Sequence, residues 1–216
     1  MTALDPEVLK NYQLLVFGKL EGAVTSMMIH LGDRLGLYGP LAADGHTTAE
    51  LAARTGLDER WVREWAYNQA AAGIITADDE GNRFSLSPEG VAVLADESSE
   101  FFGAGEFGQF PRYLAALERL PESFRSGIGH DYDSHGRDTV IGLERMFEPW
   151  NRRHLVADVL VALDGVVASL TSGAEVADIG CGAGGAVLMI AAAFPNSRVT
   201  GYDTSRLALE RAAERL

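Results

Sequence analysis

The sequence predicts a mixed α and α/β fold: a helical N-terminal domain in winged-helix order, then the β-α-β-α opening of a doubly wound parallel sheet. Three observations predict it. Apolar residues recur at three-and-four spacing through the first forty residues; two short capped helices and a hairpin signal follow; and near the far end a short strand runs into glycines 180, 182, 184 and 185 before a helix and a strand ending in Asp203. Four segments are expected: N-terminal helices at 1–45, a winged-helix-like domain at 46–98, a helical linker region at 99–170, and a partial sheet domain at 171–216.

Leu14, Leu15, Phe17, Leu20, Val24, Met27, Met28 and Leu31 hold helical spacing, and Gly36 with the pair Gly39-Pro40 is expected to stop the helix. Core packing is the ordinary use of the Met27-Met28 pair, because a thioether side chain fills irregular apolar gaps. A face so apolar along its whole length also suits a subunit interface, and a homodimer through the N-terminal helices is expected.

From His46 to about Asp96 the elements shorten. Thr47 or Thr48 can cap a helix through Ala53, Gly56 makes the turn, and Asp58 caps a second helix carrying Trp61, Val62, Trp65 and Ala72, which Gly73 ends. Ile74-Ile75-Thr76 and Arg83-Phe84-Ser85-Leu86 flank the turn-forming run Asp78 to Asn82. This order invites a DNA-binding reading, so the second helix must be inspected for groove-reading chemistry. It carries Arg60 and Arg63, but Asp58, Glu59 and Glu64 surround them, and the wing tip is Asp78-Asp79-Glu80 where phosphate would call for Lys or Arg. The whole chain agrees: 31 Asp and Glu against 18 Lys and Arg leave a net charge of −13, which repels DNA and anionic membranes. Neither nucleic acid nor a membrane is an expected partner; the module should serve dimerisation or cover a substrate site.

Composition narrows the remaining classes. An apolar fraction of 47% with 23% charged residues suits a globular chain. Even the apolar stretch from Leu155 to Leu170 is broken by Asp158 and Asp164, so no membrane span is expected. The start, Met1-Thr2-Ala3-Leu4-Asp5, has neither the basic nor the apolar region of a signal peptide, and a cytoplasmic protein is expected. Cys181 is the single cysteine, and His30, His46, His130, His135 and His154 show no paired ligand spacing, so no metal is expected. Residues 101–110, rich in Phe and Gly, read as a linker; helices are expected from Phe110 to Leu120, Thr139 to Phe147 and Asn151 to Leu163, with a loop over 126–133.

Glu175-Val176-Ala177-Asp178-Ile179 is a strand candidate, and a helix follows its glycines from Ala186 to Phe194. Strand, glycine turn and helix is the context of a nucleotide-binding motif: glycines allow positive φ and close ligand approach, and the helix start offers free N–H groups. A second strand, Ser197 to Tyr202, ends in Asp203, about twenty residues beyond the glycines, where a carboxylate can accept ribose hydroxyls. Gly180, Gly182 and Gly185 also satisfy the dinucleotide pattern, so the glycines alone do not choose a cofactor. Asp178 separates the two readings. It puts a carboxylate where a dinucleotide fold usually has an apolar residue; such a group needs donors, from loop amides and a cationic ligand. S-adenosylmethionine brings an ammonium and a sulfonium and no pyrophosphate.

Val176 to Gly184 resembles motif I of class I S-adenosylmethionine-dependent methyltransferases, and Val199-Thr200-Gly201-Tyr202-Asp203 resembles the acidic motif that follows it. Thr48 to Leu94, with Glu50-Leu51-Ala52, Gly56-Leu57, Val62-Arg63-Glu64-Trp65 and Gly73, resembles the winged-helix N-terminal domain of an actinobacterial methyltransferase family. The resemblance implies a Rossmann-like methyltransferase sheet and methyl transfer to a small-molecule acceptor. It implies that Gly180, Gly182 and Gly184 line the methionine portion of the cofactor, that Asp178 orients it and that Asp203 holds the ribose. Thr204 completes the implied cofactor-binding set, with Cys181 as a small packing residue beneath the cofactor. No catalytic base is assigned: His130, Tyr132, Trp150 and His154 precede the motif where a substrate wall could form, yet nothing in their spacing demands chemistry. The alternatives are a winged-helix dimerisation or regulatory module with a vestigial nucleotide loop, and a nicotinamide-dependent oxidoreductase. Because the sequence stops at Leu216, after the second helix of the sheet domain, a C-terminally truncated methyltransferase, inactive as this fragment, is expected.

Overall fold

The computed structural model describes residues 4–216, so the reading of Met1, Thr2 and Ala3 lies outside the described residues. The chain forms two compact units that divide between Val91 and Ala92.

In the first unit, helix α1 (Pro6–Arg34) starts where the Asp5 carboxylate accepts the amides of Glu7 and Val8, with proline in the first turn. It closes at Leu35, before Gly36, whose φ of 68° favours glycine. Among its described side chains only Ile29 and Gly32 are buried; Leu14, Leu15, Phe17, Leu20 and Val24 are exposed, while Met27 and Met28 are half-buried. Core packing therefore accounts for little of this apolar face. By length and composition alone α1 could also cross a membrane, with a mean hydropathy of 1.3, a property that a search for uninterrupted apolar runs misses; Lys19 and Glu21 in its middle oppose that use. Gly36 alone marks the stop of α1; Gly39-Pro40, expected to share in it, comes after the helix has ended. It lies within α2 (Tyr38–Leu41), a single turn, where proline forfeits no hydrogen bond the turn needs.

Strand β1 (His46–Thr47) leads into α3 (Thr48–Thr55), which begins in a capping box between Thr47 and Glu50 and ends on Gly56 in the left-handed conformation. Helix α4 (Glu59–Ala71) starts on Asp58, whose side chain accepts the amides of Arg60 and Trp61. The expected hairpin is β2 (Thr76–Ala77) with β3 (Arg83–Ser85), and β1, too short to announce itself by alternation, joins it in an antiparallel sheet of order β1-β3-β2. Leu51, Val62, Trp65, Ala66, Ile75 and Phe84 are buried. Trp65 meets Tyr38 edge-on, with ring centroids 5.3 Å apart, and donates its indole N–H to the Met28 carbonyl at 2.9 Å. On the surface, Arg63 pairs with Glu59 at 3.2 Å and Arg83 with Glu50 at 3.3 Å, which neutralises cations the wing could have offered to phosphate.

Helix α5 (Pro88–Leu94) leads towards the second unit, where the expected linker is helical: α6 (Ala104–Phe107), α7 (Phe110–Leu117) and α8 (Leu120–Ser126). Pro121 has no N–H to give α7, so α7 stops short of Leu120 and a new helix restarts with the proline in its first turn. A 3-10 turn at Tyr132–His135 precedes α9 (Arg137–His154). The two helices expected over Thr139–Phe147 and Asn151–Leu163 are in fact one helix that runs through the buried Pro149 and opens into a π turn at Leu155–Val159.

The unit ends in α10 (Val166–Ser172), β4 (Glu175–Ile179), α11 (Gly185–Ala193), β5 (Arg198–Tyr202) and α12 (Arg206–Glu214). Strands β4 and β5 are parallel, with Asp178 opposite Gly201 and Ile179 opposite Tyr202. Leu160, Leu170, Ile190 and Phe194 pack with Val176 and Val199 of the sheet, and Val140, Ala183 and Ala208 form a second cluster. That register brings both strand ends, and therefore both expected carboxylates, to one edge.

Candidate functional site

A cavity of about 540 Å³ opens at the C-terminal ends of β4 and β5, the position where open α/β sheets bind ligands. Asp178, Gly180, Cys181, Gly182, Asp203 and Thr204 line it. Gly184 is not among the lining residues. A Cβ there would stand 3.1 Å from the Cβ of Ala212, so this glycine seats the start of α11 against α12. Gly180 and Gly182, with φ of 84° and 55°, present the opposite case: a Cβ on either would meet nothing within 4 Å, which leaves a bare backbone lip on the cavity.

The loop amides are committed in a specific way. Gly180 and Cys181 donate to the Tyr202 carbonyl at 2.7 and 3.0 Å, and Gly182 donates to Asp203 Oδ2 at 2.8 Å. Asp203 Oδ1 accepts the Ser205 amide at 2.8 Å. Loop donors were expected for Asp178, and it receives none, because those amides serve Tyr202 and Asp203 instead. The half-buried Asp178 carboxylate accepts no hydrogen bond from any described residue. A carboxylate left in this state at a cavity wall favours a cationic or hydrogen-bond-donating ligand.

Cys181 is buried, and its thiol is pushed up, first by burial and then by the charges of Asp203 and Asp178, so it stays protonated and packs. Its neighbour across the sheet has to be glycine: a Cβ on Gly201 would lie 2.7 Å from Cys181 Sγ and 3.1 Å from Val187.

Two further walls close the cavity, of which only the Tyr132 side was a candidate from the sequence. Helix α9 contributes Leu143, Phe147 and Asn151, and Tyr132 comes from the turn before it. Glu144, Glu148 and Arg215 line the cavity beside them: Arg211 grips Glu144 through two bonds of 2.7 and 2.8 Å, while Arg215 donates to Glu148 at 2.7 Å and to the Ala183 carbonyl at 3.0 Å. The Arg211 hydrogen bond holds the Glu144 carboxyl below the usual range. The two glutamates and the two arginines each recur four residues apart, which puts each pair on one face of its helix but does not announce that the two faces meet. Of the four side chains preceding the motif, Tyr132 alone lines the cavity. His130 is held between Arg119 and Ser123, and His154 bonds Glu100 and Asp158 with its ring 5.0 Å from that of Trp150.

Residues 23–96 match the family described as the Rv2258c-like winged HTH domain, and residues 177–216 match a methyltransferase domain. The structure resembles that of the mitomycin 7-O-methyltransferase MmcR, with a TM-score of 0.73 and 23% identity over 98% of this chain and 63% of that one. The chain has the N-terminal winged-helix domain and the opening of the sheet domain of the class I methyltransferase fold. The same fold is seen in human N-acetylserotonin methyltransferase in complex with SAM, with a TM-score of 0.66 and 15% identity over all (100%) of this chain and 64% of that one. A curated relative, trans-aconitate 2-methyltransferase of Paracidovorax citrulli (strain AAC00-1), is 47% identical over 47 residues, or 22% of this chain and 18% of the relative. The chain therefore spans less than two thirds of the methyltransferases it resembles.

Proposed function

We propose that this chain carries the cofactor-binding part of an S-adenosylmethionine-dependent methyltransferase that acts on a small-molecule acceptor. The observation that carries the reading is the pairing of an unsatisfied carboxylate, Asp178, with a glycine lip open at Gly180 and Gly182, both on the cavity wall. A ligand with a positive charge answers Asp178; a pyrophosphate would meet repulsion from it. When bound, S-adenosylmethionine supplies an electrophilic methyl group. The chain's own residues would orient and enclose it: Asp178 would attract its cationic end, Asp203 and Thr204 would hold the ribose, Gly180, Gly182 and Cys181 would bound the methionine portion, and Gly184 would act from behind by seating α11.

The four segments expected from the sequence assign separate tasks within this reading: dimerisation at 1–45, a winged-helix module at 46–98, a substrate-side wall at 99–170 and cofactor binding at 171–216. The exposed apolar face of α1, continued by a groove that Phe17, Leu20 and Val24 line with Ala71 and Ala72, supports a homodimer. Sedimentation of the chain decides this: a concentration-dependent dimer lost in Phe17→Glu supports the interface, and a monomer argues against it. The neutralised wing supports an enzyme without a nucleic-acid partner, and a cytoplasmic location belongs to the same proposal. The cofactor test is calorimetric titration with S-adenosylmethionine, in which Asp178→Asn should weaken binding about tenfold, the value of one charge-assisted contact. Equal affinity in the variant would favour the nicotinamide alternative.

A further inference from the structure

The turn before α9 is joined to the far side of the cleft through one side chain. Asp133 sits in that 3-10 turn, and its carboxylate accepts the Ser205 hydroxyl, the Arg206 amide at 3.0 Å and the Leu207 amide at 3.4 Å. Arg206 and Leu207 are the first two residues of α12, so their N–H groups have no partner within the helix. Ser205 supplies the local cap, its hydroxyl oxygen accepting the Ala208 amide at 3.0 Å. A residue more than seventy positions away in sequence thus completes the cap of α12.

The same bonds continue into the cleft. Ser205 also donates its amide to Asp203, and the other oxygen of Asp203 accepts from the Gly182 amide in the glycine lip. Asp133, Ser205, Asp203 and Gly182 form one connected set, of which Ser205 is fully buried. Next to Asp133 in sequence is Tyr132, which lines the cavity, with its ring held edge-on to His135 at 6.1 Å. The Tyr132 hydroxyl is pushed up, first by burial, against the Arg112 charge and with that of Asp203, which lines the same cavity.

We infer that Asp133 is a positioning residue of the cofactor cleft: it fastens the turn at 131–136 to the start of α12 and so fixes Tyr132 as a wall beside Asp203. The role is mechanical and electrostatic at once. A cap bond made across the fold ties the turn to α12 only while the carboxylate is in place, whereas a cap from Ser205 alone would not reach the turn. The inference rests on the cofactor reading only for its effect on binding; the fastening itself belongs to the chain without ligand.

The test uses the full chain, Asp133→Asn, Tyr132→Ala and the double variant. Hydrogen exchange without ligand should rise in residues 128–136 and in the first amides of α12 of Asp133→Asn, while β4 and β5 keep the parent's protection. Titration with S-adenosylhomocysteine should show about tenfold weaker binding for Asp133→Asn, and no further loss when that change is added to Tyr132→Ala. Unchanged exchange over 128–136 overturns the fastening. Full additivity of the two substitutions overturns the action through Tyr132. Failure of the parent to bind S-adenosylhomocysteine counts against the cofactor reading, and the exchange experiment still decides the inference.

Discussion

The winged-helix sheet and the cleft sheet use their apolar residues differently. In the first unit, the short strands β1 to β3 and helices α3 and α4 enclose their own core, with Phe84 and Trp65 both almost wholly buried. In the second unit, β4 alternates between exposed and half-buried positions, and at the strand ends Ile179 is 78% and Tyr202 55% exposed. Large apolar residues at the strand ends are thus exposed in this chain, which spans only part of its relatives' length. The difference teaches that the winged helix is specified by packing within a short stretch of chain, while the cleft adds hydrogen bonds and glycines to clusters that pack on one part of its sheet.

The largest effect should come from breaking the enclosed core. Trp65→Ala removes an aromatic ring, its contact with Tyr38 and the bond to Met28, and should cost the first unit about 3–5 kcal/mol, read as a shift of the urea midpoint. A loss below about 1 kcal/mol would show that this core is no tighter than the cleft. Gly201→Ala comes next, since the added methyl meets Cys181 and Val187; overpacking of this kind costs about 1–3 kcal/mol. Cys181→Ala in the same chain should relieve much of that loss, and additive penalties would show that the clash is not with the thiol. Thr47→Ala breaks the capping box of α3 and should cost about 1 kcal/mol by thermal or urea unfolding. Ile179→Ser should be nearly silent, within about 0.5 kcal/mol, because the side chain is already in water. A large loss there would mean that the strand end is covered in solution.

Much of this contrast could be read from local sequence. Thr47 with Glu50, Asp58, Gly56 and Gly73 mark the ends of α3 and α4 within a few residues of where they act, and capping is a short-range interaction. The strand, glycine and acidic pattern from Val176 to Asp203 is equally local, and it places β4, α11 and β5. The misses share a different cause. The long α9 passes Pro149, which sequence rules read as a stop, and tertiary packing that buries this proline overrides the rule. Gly184 sits in a cofactor motif, yet its nearest neighbour is Ala212, on a helix beyond the next strand. Asp133 and the pairs of Glu144 and Glu148 with Arg211 and Arg215 act across the fold, where local periodicity carries no information about partners. Asp178, singled out from the sequence as the decisive carboxylate of the pattern, lines the cavity, but the donors assigned to it went elsewhere, because backbone register at Tyr202 determines where the loop amides point.

The most direct test of the cleft's proposed chemistry is a pair of calorimetric titrations of the same chain, one with S-adenosylmethionine and one with NAD, repeated on Asp178→Asn. The account predicts that S-adenosylmethionine binds more tightly than NAD and that the substitution removes most of this preference. Tighter binding of NAD, or a preference that Asp178→Asn leaves intact, would contradict it.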